Sequence, residues 1–511
     1  MTTPASNNKN NVPPPLSRNR TSFIGWIIIC IVSPILVVLV ALDFVFYRQE
    51  IYKSLVTYLI LPGFLMTGVA IIIVGAILEW RRRHRRAPGD YPALPVIDLS
   101  LAWQRRRVTF GVVLLSLLFA FSTVGIYQAY HFTESSVFCG QVCHQVMIPE
   151  YTAYQHSPHA KVSCAECHIG SGADWYVKSK LSGLRQVWAV LTHSYRLPIP
   201  TPVENLRPAR ETCEECHWPE KFSGSFEREI WHFSPDKTNT AIRYNLLLRV
   251  GGGTSELGGG PGHGIHWHIS PQVTVRYWAR DKARLDIPWV EVRAGDQPPR
   301  IYRSPDCPDP LPGNAEIRVM DCIDCHNRPS HIYRSPRQII DVSLSDGSLS
   351  PSLPYLKRYA TQVFEKQYSD TEIAMRNIES DLLEKYTDRM RGPEGRALVR
   401  SNIKWLQTLY RRNFFPEQGV NWLQYPNHIG HFEFPGCYRC HDEKHKSVQG
   451  ETISNNCQLC HDFLDQAEGE KAFGPFTYKG GPFIHPRNLG DIWKGRNCTD
   501  CHGSASYATS D

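Results

Sequence analysis

Six copies of one short motif, two cysteines separated by two residues and followed directly by a histidine, constrain this chain most strongly. Random placement of the 16 cysteines and 21 histidines would give about 0.02 such motifs. The repeats are therefore a selected feature, and the fold must present six sets of two thiols and one imidazole in similar local geometry. The copies begin at Cys164, Cys213, Cys322, Cys437, Cys457 and Cys498.

This spacing predicts covalent attachment of c-type haem. Two thiols three positions apart can reach the two vinyl groups on one edge of a porphyrin, and the adjacent imidazole then lies under the iron. A disulfide framework needs no histidine after every second cysteine, and zinc sites pair two cysteine units or add a spaced histidine. The second cysteines are Cys167, Cys216, Cys325, Cys440, Cys460 and Cys501. The proximal histidines are His168, His217, His326, His441, His461 and His502.

A seventh motif has one extra residue between its cysteines, Cys139 and Cys143, before His144. It follows an apolar stretch, and Met147 lies three residues beyond the histidine. A methionine ligand would raise the reduction potential relative to two imidazoles. Numbered along the chain, this motif is the first of seven, and the motif at Cys498 is the seventh. We therefore expect seven haem c groups, with Met147 as a ligand of the first, although a packing role for Met147 stays open. The two cysteines outside all motifs are Cys30 and Cys307.

Low-spin haem in electron transfer needs a second axial ligand on each iron. Fourteen histidines lie outside the motifs, and His84 is set aside because it falls in a basic loop. Closeness to the motifs and local sequence context select seven distal ligands: His159, His232, His268, His331, His428, His445 and His485. Their nearest alternatives are His266 and His431.

Three apolar stretches precede the first motif, at about residues 23–47, 55–80 and 108–130. Each reaches the roughly 20 residues that a helix needs to cross a bilayer, so the sequence predicts three transmembrane helices. The first stretch is too long for a signal peptide, and no small-residue cleavage site follows it. We expect this stretch to be retained.

Eight arginines crowd the segment between the second and third stretches. Basic loops stay in the cytoplasm, so the rest of the chain is expected to leave the inner membrane on its periplasmic side. Residues 1–130 contain 13 of the 56 Lys and Arg and five of the 49 Asp and Glu, so the anchor carries +8 and residues 131–511 carry −1. The apolar stretches predict an integral membrane protein. The exported part is not basic and haem propionates would add negative charge to it, so the sequence also predicts that the protein does not bind nucleic acid.

The motifs also divide the exported part. We expect a four-haem region at 131–335, a helical connector at 336–420 and a three-haem region at 421–511, after the membrane anchor at 1–130. Alternating apolar residues predict a small β insertion at about 240–303. The expected fold class is mainly α with little regular structure: three transmembrane helices plus an exported multihaem cytochrome c domain containing this insertion.

Helices are predicted in the connector by two local patterns. Ile403, Leu406 and Leu409 recur on one helical face. Ser369 and Glu372 have the spacing of a capping box, which predicts a helix that begins beside them.

The anchor, Met147 after the first motif, and the run His159-Ala-Lys-Val-Ser-Cys164-Ala-Glu-Cys167-His168 together resemble the NapC/NirT/NrfH family of membrane quinol dehydrogenases. The sequences around the motifs at Cys213, Cys322 and Cys437 are similar to its seven-haem branch. The resemblance implies that electrons pass from menaquinol through the haems to a periplasmic c-type cytochrome or reductase in anaerobic respiration. It also implies that Met147 is a ligand of the first haem and His159 a distal ligand of another.

In this family, the quinol site uses a lysine and an aspartate shortly after the second motif. Lys178 and Lys180 occupy the lysine region here, and Gln186 occupies the aspartate position. The resemblance therefore implies that these three residues bind and deprotonate quinol, with Asp174 in reserve, where the third apolar stretch meets the first haem. Ordinary surface roles for these residues stay open.

Two other functions also stay open. A multihaem reductase with its own small substrate, such as nitrite, needs an open iron position, and some such enzymes replace the motif histidine by lysine. No Cys-x-x-Cys-Lys sequence occurs in this chain. An electron-relay subunit of a larger complex would need no quinol site.

Overall fold

The computed structural model describes residues 15–46, 61–85, 99–142, 144–170, 173–202, 208–252, 264–473, 476–493 and 495–503. The protein is about 47% helical and has some strands. It divides into two compact units, Met1–Phe132 with Ser171–Ser182, and Thr133–Gly170 with Gly183–Asp511.

Three long helices precede the first motif: α1 at Arg20–Phe46, α2 at Leu61–Arg83 and α3 at Ala102–Glu134. Within the described residues, two helices are long and apolar enough to cross a membrane, over Arg20–Val40 and Leu61–Arg83. The predicted start of the second span, at residue 55, lies outside the described residues. Helix α3 contains the whole of the predicted third span at 108–130.

Small residues allow α1 and α2 to approach closely. A Cβ atom added at Gly25 would lie 2.5 Å from the carbonyl oxygen of Gly68, and one at Gly75 would collide with the Ser22 side chain. The Ser22 hydroxyl also donates a hydrogen bond to the carbonyl oxygen of Ile72 over 3.1 Å. Close backbone contact and an interhelical hydrogen bond favour helix pairing in lipid, where apolar side chains alone give little specificity.

The remaining helices are shorter. They are α4 at His144–Gln155, α5 at Cys164–His168, α6 at Ala173–Leu191, α7 at Ala209–Cys213, α8 at Cys322–Cys325, α9 at Pro336–Ser345, α10 at Leu356–Glu365, α11 at Thr371–Lys385, α12 at Pro393–Asn413 and α13 at Thr499–His502. Helices α9 to α12 surround the largest apolar core, in which Ile340, Ile378 and Leu406 are fully buried. The helix predicted from Ile403, Leu406 and Leu409 is confirmed as α12.

The start of α11 differs from the predicted capping box. Asp370, not Ser369, is the N-cap residue, and its carboxylate accepts a hydrogen bond from the backbone N–H of Ile373 over 2.8 Å. The Ser369 hydroxyl instead donates to Asp370. A carboxylate is the stronger acceptor at this position because it also interacts favourably with the helix dipole.

Nine strands form two antiparallel sheets. They are β1 at Phe226–Phe233, β2 at Ala241–Leu248, β3 at Val273–Trp278, β4 at Trp289–Ala294, β5 at Arg300–Arg303, β6 at Ile317–Val319, β7 at Lys446–Ser447, β8 at His461–Glu468 and β9 at Lys471–Ala472, among the described residues. The strand order is β1-β2-β8-β9 in one sheet and β6-β3-β4-β5-β7 in the other.

The sheets extend beyond the predicted insertion at 240–303, which contains only β2 to β5. Strand β8, from the C-terminal part of the chain, pairs with β2, and β7 pairs with β5. Strand β8 lacks the usual alternation because its polar Asp462 and Gln466 are buried. Arg249 donates to Asp462 over 2.8 Å, and Gln466 donates to the carbonyl of Pro482 over 2.8 Å. These partners satisfy the buried polar groups, and the sequence pattern of a strand is lost.

Candidate haem sites

Each fully described motif forms a single tight turn. In four motifs the backbone N–H of the histidine donates to the carbonyl of the first cysteine over 2.8 to 3.1 Å: His217, His326, His441 and His502. This bond closes a turn of helical type, so the two thiols and the imidazole leave the backbone with a repeated geometry. The turns therefore supply the local arrangement that thioether attachment to one porphyrin edge needs.

Side chains fix where two of these turns begin. Ser163 caps α5 by accepting a hydrogen bond from the N–H of Glu166. At α8, Asp321 and Asp324 form a reciprocal capping box. Capping satisfies backbone donors that a helix of only four or five residues would otherwise leave unpaired.

Six motif histidines each face a histidine from outside their own motif. The pairs are His168 with His331, His217 with His159, His326 with His266, His441 with His268, His461 with His431, and His502 with His485. The ring centroids within the pairs lie 5.9 to 6.3 Å apart.

The separation matches two imidazoles on opposite sides of one metal ion. Imidazole nitrogens bind first-row metals at about 2 Å, which places the two ring centroids about 6 Å apart. Direct contact between two rings has no reason to recur at one distance in six places. The residues therefore fit haem iron at six positions.

Second hydrogen bonds orient these imidazoles. In five of the six facing histidines, Nδ1 lies within hydrogen-bond distance of a backbone carbonyl, at 2.6 to 3.3 Å: His159, His266, His268, His331 and His485. At His159, His266, His268 and His331, donation from Nδ1 fixes the tautomer in which Nε2 is unprotonated and can bind metal. Nδ1 of His485 lies 3.2 Å from the backbone nitrogen of Arg487 as well.

Burial also favours the neutral, metal-binding form of the rings. Burial lowers the pKa of His268, His331, His461 and His502 to about 4. It also lowers the pKa of His168, His326, His431 and His441. Neutral rings lose no proton on binding iron near neutral pH.

Four of the seven predicted distal histidines face a motif histidine: His159, His268, His331 and His485. The other three, His232, His428 and His445, have different partners. The alternatives His266 and His431 occupy facing positions instead. Sequence distance could not separate these sets, because each ligand reaches its motif through tertiary structure.

The other three predicted distal ligands form hydrogen bonds with protein groups instead. His232 Nδ1 lies 3.2 Å from a carboxylate oxygen of Asp341. Both ring nitrogens of His428 lie near backbone carbonyls, at 3.1 and 2.9 Å. His445 bonds Asp442 through Nδ1 over 2.9 Å and the carbonyl of Ile287 through Nε2 over 2.7 Å. In His428 and His445 both nitrogens are therefore engaged with protein atoms.

The first motif is described only in part. Cys143 lies outside the described residues, as does the side chain of His144. Cys139 is partly buried within a short π-helical turn at Phe138–Val142, and Met147 is partly buried on α4. The ligand role of Met147 stays a prediction.

Thiols of consecutive motifs lie close together. Interaction with the Cys139 thiol lowers the pKa of Cys164 to about 6, and interaction with the Cys322 thiol lowers the pKa of Cys213. Between the other consecutive motifs, the pKa of one thiol is raised. Burial is the largest cause, and the thiol of the neighbouring motif raises the pKa further. These neighbours are Cys167 with Cys213, Cys325 with Cys437, Cys437 with Cys460, and Cys498 with Cys457. The seven motifs thus follow one another in space in their sequence order.

The residues implied for a quinol site lie on α6. The Lys178 ammonium lies 4.6 Å from the centroid of the Trp175 ring. Lys180 is partly buried, and Gln186 is exposed. Residues two apart on a helix point to different sides, so Lys178 and Lys180 do not lie on one face. The side chain of Asp174 lies outside the described residues.

Helix α6 also exposes an apolar face. Leu181, Leu184, Trp188 and Leu191 are 64 to 70% exposed. Their spacing of three or four residues places them along one side of the helix. An apolar face of this kind on a helix with basic residues is typical of a helix at a lipid interface.

Haem-attachment motifs, paired histidines and apolar helices define a membrane cytochrome c of electron transport, which carries covalently bound haem c. The chain belongs to the NapC/NirT cytochrome c family, and the model for the N-terminal region of that family matches residues 103–198.

Two relatives support this assignment. The chain is 43% identical over 499 residues to the cytochrome c-type protein ImcH of Geobacter sulfurreducens. This match covers 96% of this chain and 96% of ImcH. It is 33% identical over 78 residues to the cytochrome c-type protein NrfH of Wolinella succinogenes, covering 15% of this chain and 44% of NrfH. No solved structure matches the chain.

Proposed function

We propose that this protein is an inner-membrane quinol dehydrogenase that passes electrons from menaquinol through seven c-type haems to a periplasmic cytochrome or reductase. The observation that carries the proposal is the ordered series of motifs. It begins five residues after α3 ends at Glu134, and each motif lies beside the next. Electron transfer between a membrane donor and a distant acceptor needs such a series.

The six facing pairs would hold the irons of the second to seventh haems. Each motif histidine would bind the iron of its own haem, and the histidine facing it would be the second ligand. His144 and Met147 would hold the first haem. Bound haem would supply one-electron carriers whose potentials depend on these ligands and on the surrounding charge.

Paired ligation disfavours a reductase with its own small substrate. Such an enzyme needs an open iron position, whereas in each of the six facing pairs a second imidazole is available to the iron. Other groups of the protein hold these ligands in place. Backbone carbonyl oxygens orient the distal rings, and capping side chains fix where two of the motif turns begin.

The proposed topology has three membrane spans. Helices α1, α2 and α3 cross the inner membrane, and the arginine-rich segment between α2 and α3 stays in the cytoplasm. The haem-binding region then lies in the periplasm. The length of α3, 33 residues, supports this proposal because about 20 residues cross the hydrocarbon and the rest can extend beyond it.

Quinol oxidation releases two protons with two electrons, so a polar group must accept protons near an apolar substrate. Helix α6 combines the two properties, since it exposes an apolar face and carries Lys178, Lys180 and Gln186. We propose that one or more of these residues holds the quinol hydroxyl by hydrogen bonding, and that Asp174, the carboxylate held in reserve, or bulk water takes the proton. Positioned proton transfer of this kind contributes about a hundredfold or more to rate.

The test is reduction of the purified, haem-loaded protein by a menaquinol analogue, followed by haem absorbance. We expect the wild type to be reduced, and Met147→Ala and Lys178→Ala to be reduced about tenfold more slowly or worse. Lys221→Ala is a matched control, because Lys221 also lies over a tryptophan ring, at 5.0 Å from the Trp218 centroid.

A wild type that the quinol analogue does not reduce would contradict the proposed function. Unchanged rates in both Met147→Ala and Lys178→Ala would contradict the site assignment and leave the haem count intact. An equal loss of rate in Lys221→Ala would show that the effect of Lys178 is not local.

A further inference from the structure

A buried arginine joins the fourth and fifth motifs, where the N-terminal and C-terminal groups of motifs meet. Arg439 lies between Cys437 and Cys440 of the fifth motif and is only 8% exposed. Its Nη2 atom donates to the carbonyl oxygen of Asp324, inside the fourth motif, over 2.8 Å. One guanidinium therefore belongs to one motif and bonds the backbone of the other.

The other contacts of this guanidinium are to uncharged groups. Nε donates to the carbonyl of Gly436 over 2.7 Å, and Nη1 donates to the carbonyl of Arg284 over 2.9 Å. Nη1 also lies 3.2 Å from Nδ1 of His428. Burial lowers the pKa of His428 to about 4, so this ring is neutral at pH 7. Among the described residues, the hydrogen-bond partners of Arg439 thus leave its positive charge unneutralised.

The Asp324 carboxylate, in the fourth motif, already has other cationic partners. Asp324 is 1% exposed, and its Oδ1 accepts hydrogen bonds from Tyr277 over 2.6 Å and from Arg284 over 2.8 Å. Arg318 lies 3.7 Å from the same oxygen. Arg439, Arg284 and Arg318 therefore lie around the contact between the two motifs, with the fully buried Asp324 carboxylate among them.

Fixed positive charge near a haem acts on its reduction potential. One-electron reduction lowers the charge of a haem site by one, so a nearby cation destabilises the oxidised state more than the reduced state. An arginine keeps its charge at any physiological pH. Burial makes the effect larger, because solvent screens the charge less.

We propose that Arg439 raises the reduction potentials of the fourth and fifth haems together and fixes the contact between their motifs. Asp324 opposes this effect within the same network. The inference rests on the proposed loading of these two sites with haem, and it does not depend on quinol oxidation. Arg439 and Asp324 would then set the local electrostatic potential where the two groups of motifs meet.

The test is a spectroelectrochemical titration of the full-length, haem-loaded protein. We expect Arg439→Met to shift the part of the titration contributed by two haems to lower potential, whereas Arg439→Lys, which keeps the charge, shifts it less. Asp324→Asn, which removes a buried negative charge at nearly constant shape, shifts the same part to higher potential. Arg280→Met is the control, because Arg280 is exposed and pairs with Asp286 and Asp306.

Opposite shifts in Arg439→Met and Asp324→Asn, with no shift in Arg280→Met, support the proposal. A fully loaded Arg439→Met protein with the wild-type titration overturns it. If Arg439→Met fails to load haem, Asp324→Asn decides alone: a rise supports the proposal and an unchanged titration overturns it. Failure of the wild type to oxidise quinol leaves these shifts measurable, so the two proposals fail independently.

Discussion

The region around helices α9 to α12 and the motif-bearing regions are built in different ways. The first region has long helices around a cluster of 27 buried apolar residues. Each of the two β sheets contributes a cluster of only four, and the motif turns are helices of three to five residues. Where side chains fill the interior, elements are long and periodic. Where cysteines and paired histidines converge, short turns suffice, because a cofactor can fill the space between them.

The largest effect of a substitution on stability is expected in the helical region around α9 to α12. Leu406 is fully buried, so Leu406→Ala should lower the free energy of unfolding by about 2–5 kcal/mol by leaving a cavity. Haem content per chain should stay at the wild-type value. Chemical denaturation followed by circular dichroism measures the first quantity, and a haem assay measures the second.

The matched control is Leu423→Ala, since Leu423 is 48% exposed. This variant should change the free energy of unfolding by about 0.5 kcal/mol or less. If Leu406→Ala loses haem while its unfolding is unchanged, the helical region is not an independent apolar core and the contrast between the regions is wrong.

A smaller loss is expected from one glycine beside a motif. Gly436 has φ of +50°, and a Cβ atom there would collide with the carbonyl oxygen of Gly430. Gly436→Ala should therefore destabilise the fifth motif by about 3 kcal/mol, as strain and a backbone collision combine. Gly450→Ala is the control, with φ of +85° and open space around its Cβ position, and should cost about 1 kcal/mol. Equal melting temperatures for the two variants would contradict the collision.

The ion pair of Asp442 and His445 should give a modest pH dependence. Burial lowers the pKa of His445, but its hydrogen bonds to Asp442 and to the carbonyl of Ile287 outweigh burial, so the pKa is raised. The raised pKa means that the pair stabilises the fold below about pH 6.5, and this contribution is lost as pH rises through the folded pKa.

His445→Gln should therefore remove about 1 kcal/mol of stability at pH 5.5 and less at pH 8. Thermal unfolding of both proteins across this range measures the difference. A variant that is destabilised more at pH 8 than at pH 5.5 would contradict the raised pKa.

The smallest effect on stability, but a specific change in the spectrum, is expected at a distal histidine. His268→Ala should leave the iron of the fifth haem with one protein ligand and produce one high-spin haem in the electron paramagnetic resonance spectrum. His445→Ala should produce none, because its ring nitrogens bond protein atoms. A high-spin signal in His445→Ala but not in His268→Ala would reverse the assignment.

The same contrast explains how much the sequence could predict. The motif spacing predicted six turns that each present two thiols and an imidazole, and the apolar periodicity of Ile403, Leu406 and Leu409 predicted α12, because both signals are local. Distal ligands depend on tertiary structure: His266 and His268 are two residues apart yet face different motif histidines, His326 and His441. Strand β8 was missed because its buried Asp462 is paired with Arg249, which removes the usual polarity pattern.

The most direct test of the account is magnetic spectroscopy of the oxidised, purified protein together with a haem count. The seven motifs and six facing pairs predict seven haems per chain, six with two histidine ligands and one with a methionine ligand. Fewer than seven haems, or a high-spin signal from any site, would contradict the proposed series of paired ligands.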